Sequence, residues 1–129
     1  MSSNLCSAPL HPFARRGLEL FKAGEYFEAH EALEEAWRDD RSEIRTLYQG
    51  ILQAAVVYLH ISNNNDPGAT RLYERCKKLL DPWPDTCRGV DVADLRRNLS
   101  TVMEEVTRLG PEGLHKFNTA LFKPVKWEQ

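Results

Sequence analysis

The stretch Glu25–Arg38, with the sequence EYFEAHEALEEAWR, decides the fold class of this chain. At the helical period of about 3.6 residues, its apolar side chains fall on one face, and His30 and Glu34 lie along the flank of that face. The apolar face comprises Tyr26, Ala29, Leu33, Ala36 and Trp37, and Glu28, Ala32 and Glu35 are expected to point away from it. The pattern predicts an amphipathic helix that packs on a core.

The same period recurs in four other segments, and no segment shows the alternation of a convincing strand. The predicted helices cover about residues 12–23, 25–38, 43–61, 67–80 and 92–109. Their expected starts are marked by Pro12, Asp40 with Glu43, Asp66 with Pro67, and Asp91. We predict an all-α protein: a flexible N-terminus at residues 1–10 and one domain at 11–129, a compact bundle of about five helices with a short C-terminal tail.

Length and composition narrow the functional classes. The chain has 129 residues, which suits one domain, and its net charge of -2 gives no attraction to nucleic acid. The longest apolar-rich run, from Ile51 to Ile61, is too short to span a membrane, and the first residues lack the pattern of a secretory signal. These features predict a cytoplasmic protein with neither a membrane nor a nucleic-acid partner.

The cysteines form no recognisable framework. Cys6, Cys76 and Cys87 are odd in number, widely spaced and without a C-x-x-C arrangement. We therefore expect reduced, structural cysteines and no cysteine zinc site.

The third predicted helix is apolar around most of its circumference and is expected to be central in the bundle. Its exceptions are Gln49, Gln53 and His60, which align on one narrow stripe with Val56. Buried polar groups need partners, so this stripe is expected to meet other polar side chains.

A candidate site follows from the two helices together. His30 and Glu34 are four residues apart, which lets an imidazole and a carboxylate converge on a divalent metal such as zinc. Two ligands are too few, so Glu31 and His60 are the further metal candidates, with His11 as another donor. Trp37, Arg38, Gln49 and Gln53 are the candidate ligand-binding residues. At His30 the sequence is neither H-E-x-x-H, since position 34 is Glu, nor the E-x-x-H of di-iron bundles, since Phe27 stands where the Glu would be.

These residues carry a resemblance to a known family, the domain of unknown function 309 family of small all-helical bacterial and archaeal proteins. The similarity extends over most of residues 11–80. Its carriers are His11-Pro12, Gly17, Phe21, Gly24, Tyr26–Glu31, Leu33-Glu34, Trp37-Arg38, Gln49-Gly50, Gln53, Asn65, Gly68-Ala69 and Gly89–Asp91. The family motif H-x-x-x-E-x-x-W/Y, here His30, Glu34 and Trp37, implies metal binding. Asp66-Pro67 departs from the glycine-rich or basic turn usual in the family.

Two other interpretations remain open. Residues 20–29 are similar to the turn of a tetratricopeptide hairpin, which predicts a protein-interaction module in which the His30 and Glu34 network is purely structural. The apolar tail residues Phe117, Leu121, Phe122 and Trp127 could instead cover a second copy, which predicts a homodimer. No nucleophile elbow or phosphate loop is present, so no catalytic residue is assigned.

Overall fold

The computed structural model describes residues 3–128 and the side chains of residues 5–128, so the first two residues of the predicted N-terminus lie outside the described part. The prediction of an all-α fold is confirmed. The helices are α1 (Ser3–Ser7), α2 (Pro12–Lys22), α3 (Tyr26–Asp39), α4 (Arg45–Ser62), α5 (Asp66–Leu80) and α6 (Val92–Gly113). Two short strands, β1 (Thr86–Cys87) and β2 (Val90–Asp91), pair antiparallel, and two 3₁₀ turns, Leu114–Lys116 and Thr119–Leu121, follow α6.

Helices α2 and α3 form a hairpin whose ends the sequence marks clearly. His11 caps α2, because its Nδ1 accepts a hydrogen bond from the amide of Phe13 at 3.1 Å. Gly24 ends the hairpin's first arm with a φ of 79°, a left-handed conformation that suits glycine. Gly17 lets the two helices approach closely, since a Cβ at this position would lie 2.6 Å from Cγ of Leu33.

Two predicted caps are wrong. Asp40 does not cap α4; its carboxylate accepts from the amide and hydroxyl of Ser42, which closes a local turn before the helix begins. Asn65, not Asp66, caps α5, because the Asn65 side chain accepts from the amide of Gly68. The predicted cap of α6 is confirmed, since Asp91 accepts from the amide of Asp94.

Helix α4 is central and packs against both α3 and α5. Its side chains Tyr48, Ile51, Ala55 and Tyr58 are fully buried. The sequence predicts that the polar stripe of α4 is buried inside the bundle. The structure instead places it on a half-buried edge of α4, formed by Gln49, Gln53, Val56 and His60. Ala32 was expected to point away from the core, but it is buried, since α3 contributes a broader apolar face than the sequence pattern indicated.

The expectation of reduced cysteines is wrong for two of the three. Cys6 and Cys87 form a disulfide across 81 residues, which joins α1 to strand β1. The spacing rules failed here because the two residues meet only through tertiary structure. Cys76 is free and buried.

Residues after α6 cover the core of their own chain. The regular part of α6 ends at Gly110, where φ is 70°. The ring of Phe122 stacks on Tyr58 with centroids 4.4 Å apart and on Phe117 at 5.0 Å. Trp127 then pairs with Val90, next to the β1–β2 hairpin. Among residues 3–128, no helix is both long and apolar enough to cross a membrane.

Candidate functional site

A cleft between α3 and α4 brings together most of the side chains that the sequence singled out. It has a volume of about 230 Å³. The lining residues are His30, Glu34 and Trp37 from α3, and Gln49, Leu52 and Gln53 from α4. We call it the α3–α4 cleft.

Glu34, the acidic residue of the cleft, already accepts a hydrogen bond at one of its two carboxylate oxygens. Glu34 Oε1 accepts a hydrogen bond from Arg38 Nη2 at 2.7 Å, while Glu34 Oε2 lies 3.5 Å from Nε2 of His30. The side chains of His30 and Glu34 are 28% and 31% exposed, so both reach the surface of the cleft. Arg38 therefore lies beside the cleft as the counterion of Glu34, and one carboxylate oxygen is held more loosely than the other.

Two residues that line the cleft each have a buried polar atom without a hydrogen-bond partner in the described part of the chain. The atoms are Nδ1 of His30 and Oε1 of Gln53, and they come from the two helices that form the walls of the cleft. A buried polar group without a partner loses its hydration and gains nothing in return, at a cost of about 1–3 kcal/mol. Both atoms therefore carry a desolvation cost that no described residue offsets.

Trp37 closes one end of the cleft and is half-buried. The guanidinium carbon of Arg45 lies 4.4 Å from the centroid of its ring, a cation–π contact that occupies this face of the indole. The sequence reasoning did not identify Arg45 or Leu52 as part of this region. The helical spacing of three between Gln49 and Leu52 could have indicated Leu52, whereas no sequence signal joins Arg45 to Trp37.

The remaining candidates lie elsewhere. Nδ1 of His60 lies 3.2 Å from Nδ2 of the Asn65 side chain, and His60 lines a separate cleft against α5. Glu31 is exposed and is absent from the lining of the α3–α4 cleft. Nε2 of His11 lies 2.7 Å from Asp39, at the other end of the hairpin. Within the described residues, no three side chains of His, Cys, Asp or Glu converge in a group that could hold a metal ion.

The α2–α3 hairpin exposes two large aromatic side chains. Phe13 on α2 is 46% exposed and Phe27 on α3 is 51% exposed. The ring of Phe27 lies 5.8 Å from that of His30, so the apolar surface continues to the rim of the cleft.

Comparisons with known proteins agree with the resemblance noted from the motif. The family described as Domain of unknown function (DUF309) matches residues 14–72, which include most of α2, all of α3 and α4, and the start of α5. An uncharacterized protein of Aquifex aeolicus is 26% identical over 84 residues, which cover 64% of this chain and 25% of the relative. The uncharacterized protein YpuF of Bacillus subtilis is 32% identical over 92 residues, 69% of this chain and 53% of the relative. The chain thus spans about a quarter and about half of these two relatives.

Proposed function

Residues 14–72 match the family described as Domain of unknown function (DUF309), and we propose that the α3–α4 cleft, whose walls lie within this part of the chain, binds a small polar molecule that donates hydrogen bonds. One observation carries the proposal: Nδ1 of His30 and Oε1 of Gln53 are buried without a partner among the described residues, on side chains that line one cleft from two helices.

The kind of ligand follows from the chemistry of these atoms. In the neutral imidazole one nitrogen carries the proton, and the carboxylate beside Nε2 of His30 favours the proton there. Nδ1 is then an acceptor, as is the amide oxygen of Gln53. Glu34 adds negative charge at the same place. The cleft therefore favours a primary ammonium or an amide N–H over an anion.

The size of the cleft limits the ligand further. Its volume of about 230 Å³ is below the range of about 300–1,000 Å³ that is usual for sites of drug-sized ligands. A molecule no larger than an amino acid fits this space. Because Nδ1 of His30 and Oε1 of Gln53 are buried, the side chains rotate toward the ligand as it enters.

A divalent metal such as zinc is the second candidate, and the 3.5 Å contact between His30 and Glu34 favours it. An imidazole nitrogen and a carboxylate oxygen are both zinc ligands, but a structural site needs four and a catalytic site three protein ligands. Here the metal would compete with Arg38 for Glu34, and the amide oxygens of Gln49 and Gln53 would have to complete the shell. A small organic molecule that donates hydrogen bonds can bind without displacing Arg38 from Glu34 and without a complete shell of metal ligands.

The exposed aromatics of the hairpin support a third candidate, an interaction module of the helical-hairpin type. Phe13 and Phe27 would then contact a partner protein, and the contact between His30 and Glu34 would be structural. A homodimer that uses Phe27 is one form of this proposal.

The test is a titration of ¹⁵N-labelled protein with ethanolamine, acetamide and zinc chloride in separate series. We expect saturable amide shifts around His30, Glu34 and Gln53 with ethanolamine or acetamide. Glu34→Gln should weaken binding, and Glu31→Gln is the matched control, because it makes the same charge change on the same helix outside the cleft.

Gln53→Leu separates binding from stability. Replacement of an unpartnered buried polar group by an apolar one of similar size is neutral or stabilising, so the free protein should keep its Tm while losing the ligand response. Zinc-only binding that His30→Ala removes would favour the metal. No saturable response to any probe, or an equal loss in Glu31→Gln, would contradict the proposal.

A further inference from the structure

A second and larger cavity lies away from the α3–α4 cleft, next to the disulfide. Its volume is about 440 Å³. Its lining residues are 6–10, which comprise the end of α1 and the segment after it, Arg15 of α2, Arg88 and Gly89 in the turn between β1 and β2, and Glu128. We call it the arginine cavity, because Arg15 and Arg88 are among its lining residues.

Arg88 is held in place both by its backbone and by its side chain. Its φ of 51° is unusual for a residue with a Cβ, and its side chain is only 9% exposed. Nε donates to the carbonyl of Leu5 at 2.6 Å, and Nη1 donates to the hydroxyl of Tyr48 at 3.1 Å. Nη1 also lies 3.5 Å from Oδ2 of Asp40. Among the described residues, Nη2 has no acceptor, although it carries two N–H groups.

Arg15 supplies the second guanidinium. This guanidinium has neither a hydrogen bond nor an ion pair with any residue in the described part of the chain, and its Nε is buried without a partner there. A buried N–H without an acceptor is costly, and the cost is greater in a charged group. The cavity therefore has more hydrogen-bond donors than its own residues satisfy.

From this geometry we propose that the arginine cavity binds a small organic anion through a carboxylate or phosphate group. Guanidinium groups match the oxygen geometry of both anions and bind them with charge-assisted hydrogen bonds. Asp40 balances part of the charge of Arg88, whereas Arg15 has no such counterion. Glu128 is the one acid among the lining residues described, and it is exposed, so it can turn toward solvent.

The apolar residues that line the arginine cavity indicate the chemistry of the uncharged part of the ligand. Ala8, Pro9 and Leu10 line the cavity and offer apolar surface opposite polar donors. A volume of about 440 Å³ exceeds the space that a bare inorganic ion needs and lies within the range of small-molecule sites. The expected ligand is thus an oxyanion with a short apolar or neutral body. This site is separate from the α3–α4 cleft, and the proposal does not depend on the function proposed there.

The test uses the full chain with its disulfide intact. Amide spectra of ¹⁵N-labelled protein are recorded during titrations with sodium phosphate and with sodium succinate, each against sodium chloride at equal ionic strength. We expect saturable shifts at the amides of residues 7, 8, 10, 15, 88 and 89; Pro9 has no amide proton. A response to phosphate alone assigns the oxyanion as phosphate, and a response to succinate alone assigns it as carboxylate.

Arg15→Gln is the decisive variant, because Arg15 has no partner in the described structure and its replacement should leave the fold intact. We expect roughly tenfold weaker binding of the responding anion, in line with the loss of one charged hydrogen-bonding group. Arg16→Gln is the matched control: it makes the same charge change one residue later, on an exposed side chain outside the cavity. Unchanged affinity in Arg15→Gln, equal losses in both variants, or shifts no larger than those with chloride would overturn the proposal.

Discussion

A Cβ atom added to Gly17 would lie 2.6 Å from Cγ of Leu33 and 3.3 Å from the carbonyl oxygen of Ala29. Because Leu33 is fully buried, it has little space into which it can move. The α2–α3 hairpin thus depends on the absence of one methyl group.

Gly17→Ala should therefore lower the free energy of unfolding, even though alanine favours helices. Overpacking costs about 1–3 kcal/mol, and the gain in helix propensity of roughly 0.5–1 kcal/mol offsets only part of it. Urea unfolding should show a net loss of about 1–2 kcal/mol. Gly113→Ala is the control, since its Cβ would meet Leu109 at an ordinary 3.5 Å. A Gly17→Ala protein as stable as the parent would show that the hairpin adjusts freely.

Gly89 and Gly24 form a matched pair of left-handed glycines, with φ of 81° and 79°. A Cβ at Gly24 meets nothing within 4 Å, whereas at Gly89 it would lie 1.9 Å from the carbonyl oxygen of Glu128. Gly24→Ala should cost about 1–2 kcal/mol from the backbone conformation alone. Gly89→Ala should cost at least about 2 kcal/mol more, with faster amide exchange at Glu128, whose N–H donates to Gly89. Equal losses of stability in the two variants would show that the close contact between Gly89 and Glu128 does not add to the cost of substitution.

The disulfide between Cys6 and Cys87 should contribute strongly to stability, because it closes a loop across 81 residues of the unfolded chain. Loop-closure entropy gives an upper value of about 4–5 kcal/mol. Reduction should lower the urea midpoint toward that of the double variant Cys6→Ser, Cys87→Ser, which should itself be insensitive to reductant. Midpoints that coincide with and without reductant in the parent would count against a role for this bond.

Cys76 should be unreactive in the folded protein. Burial, with a smaller contribution from the charge of Asp81, raises the pKa of its thiol to about 12, and the thiol donates to the carbonyl of Gly50 at 3.2 Å. The thiolate is the reactive form, so alkylation at pH 8 should be slow until denaturant is added. Mass spectrometry without reductant should then show one modified cysteine. Rapid alkylation of native protein would contradict the buried position.

Asp40 should make stability depend on pH in the acid range. Burial alone would raise the pKa of its carboxyl, but hydrogen bonds from Ser42 and the charges of Arg88 and His11 outweigh burial, so the pKa lies below its ordinary value of 3.8. A lowered pKa stabilises the folded state above the ordinary value, and this contribution is lost as the pH falls through the folded pKa. Asp40→Asn should therefore flatten the decline in unfolding free energy below about pH 4. An unchanged slope would show that other carboxyls dominate acid unfolding.

The sequence predicted the parts of this protein that follow from local periodicity. Helices α2 to α6, the left-handed Gly24 and the cap at Asp91 all depend on residues within a few positions of one another, and each is confirmed, whereas α1 was not predicted. The disulfide could not be predicted in this way, because Cys6 and Cys87 become neighbours only when α1 and the β-hairpin meet. The cap of α5 was assigned to Asp66 instead of Asn65, because both residues have side chains that can cap a helix and they are adjacent in the sequence.

The candidate site was predictable to the same extent. Helical spacing placed His30, Glu34 and Trp37 together on α3, and a second stripe placed Gln49 and Gln53 on α4. That the two stripes meet in one cleft depends on how α3 crosses α4, which no local pattern encodes. The arginine cavity is built from three distant segments, so Arg15 and Arg88 gave no signal in the sequence.

The bond between Cys6 and Cys87 also divides the chain into a covalent ring and an open arm. Helices α2 to α5 lie inside the ring, whereas α6 and the tail lie outside it. A single peptide-bond cleavage within the ring leaves one covalent molecule as long as the disulfide is oxidised, whereas a cleavage in α6 leaves two chains that only noncovalent packing holds together. The part that matches the family, residues 14–72, is entirely within the ring.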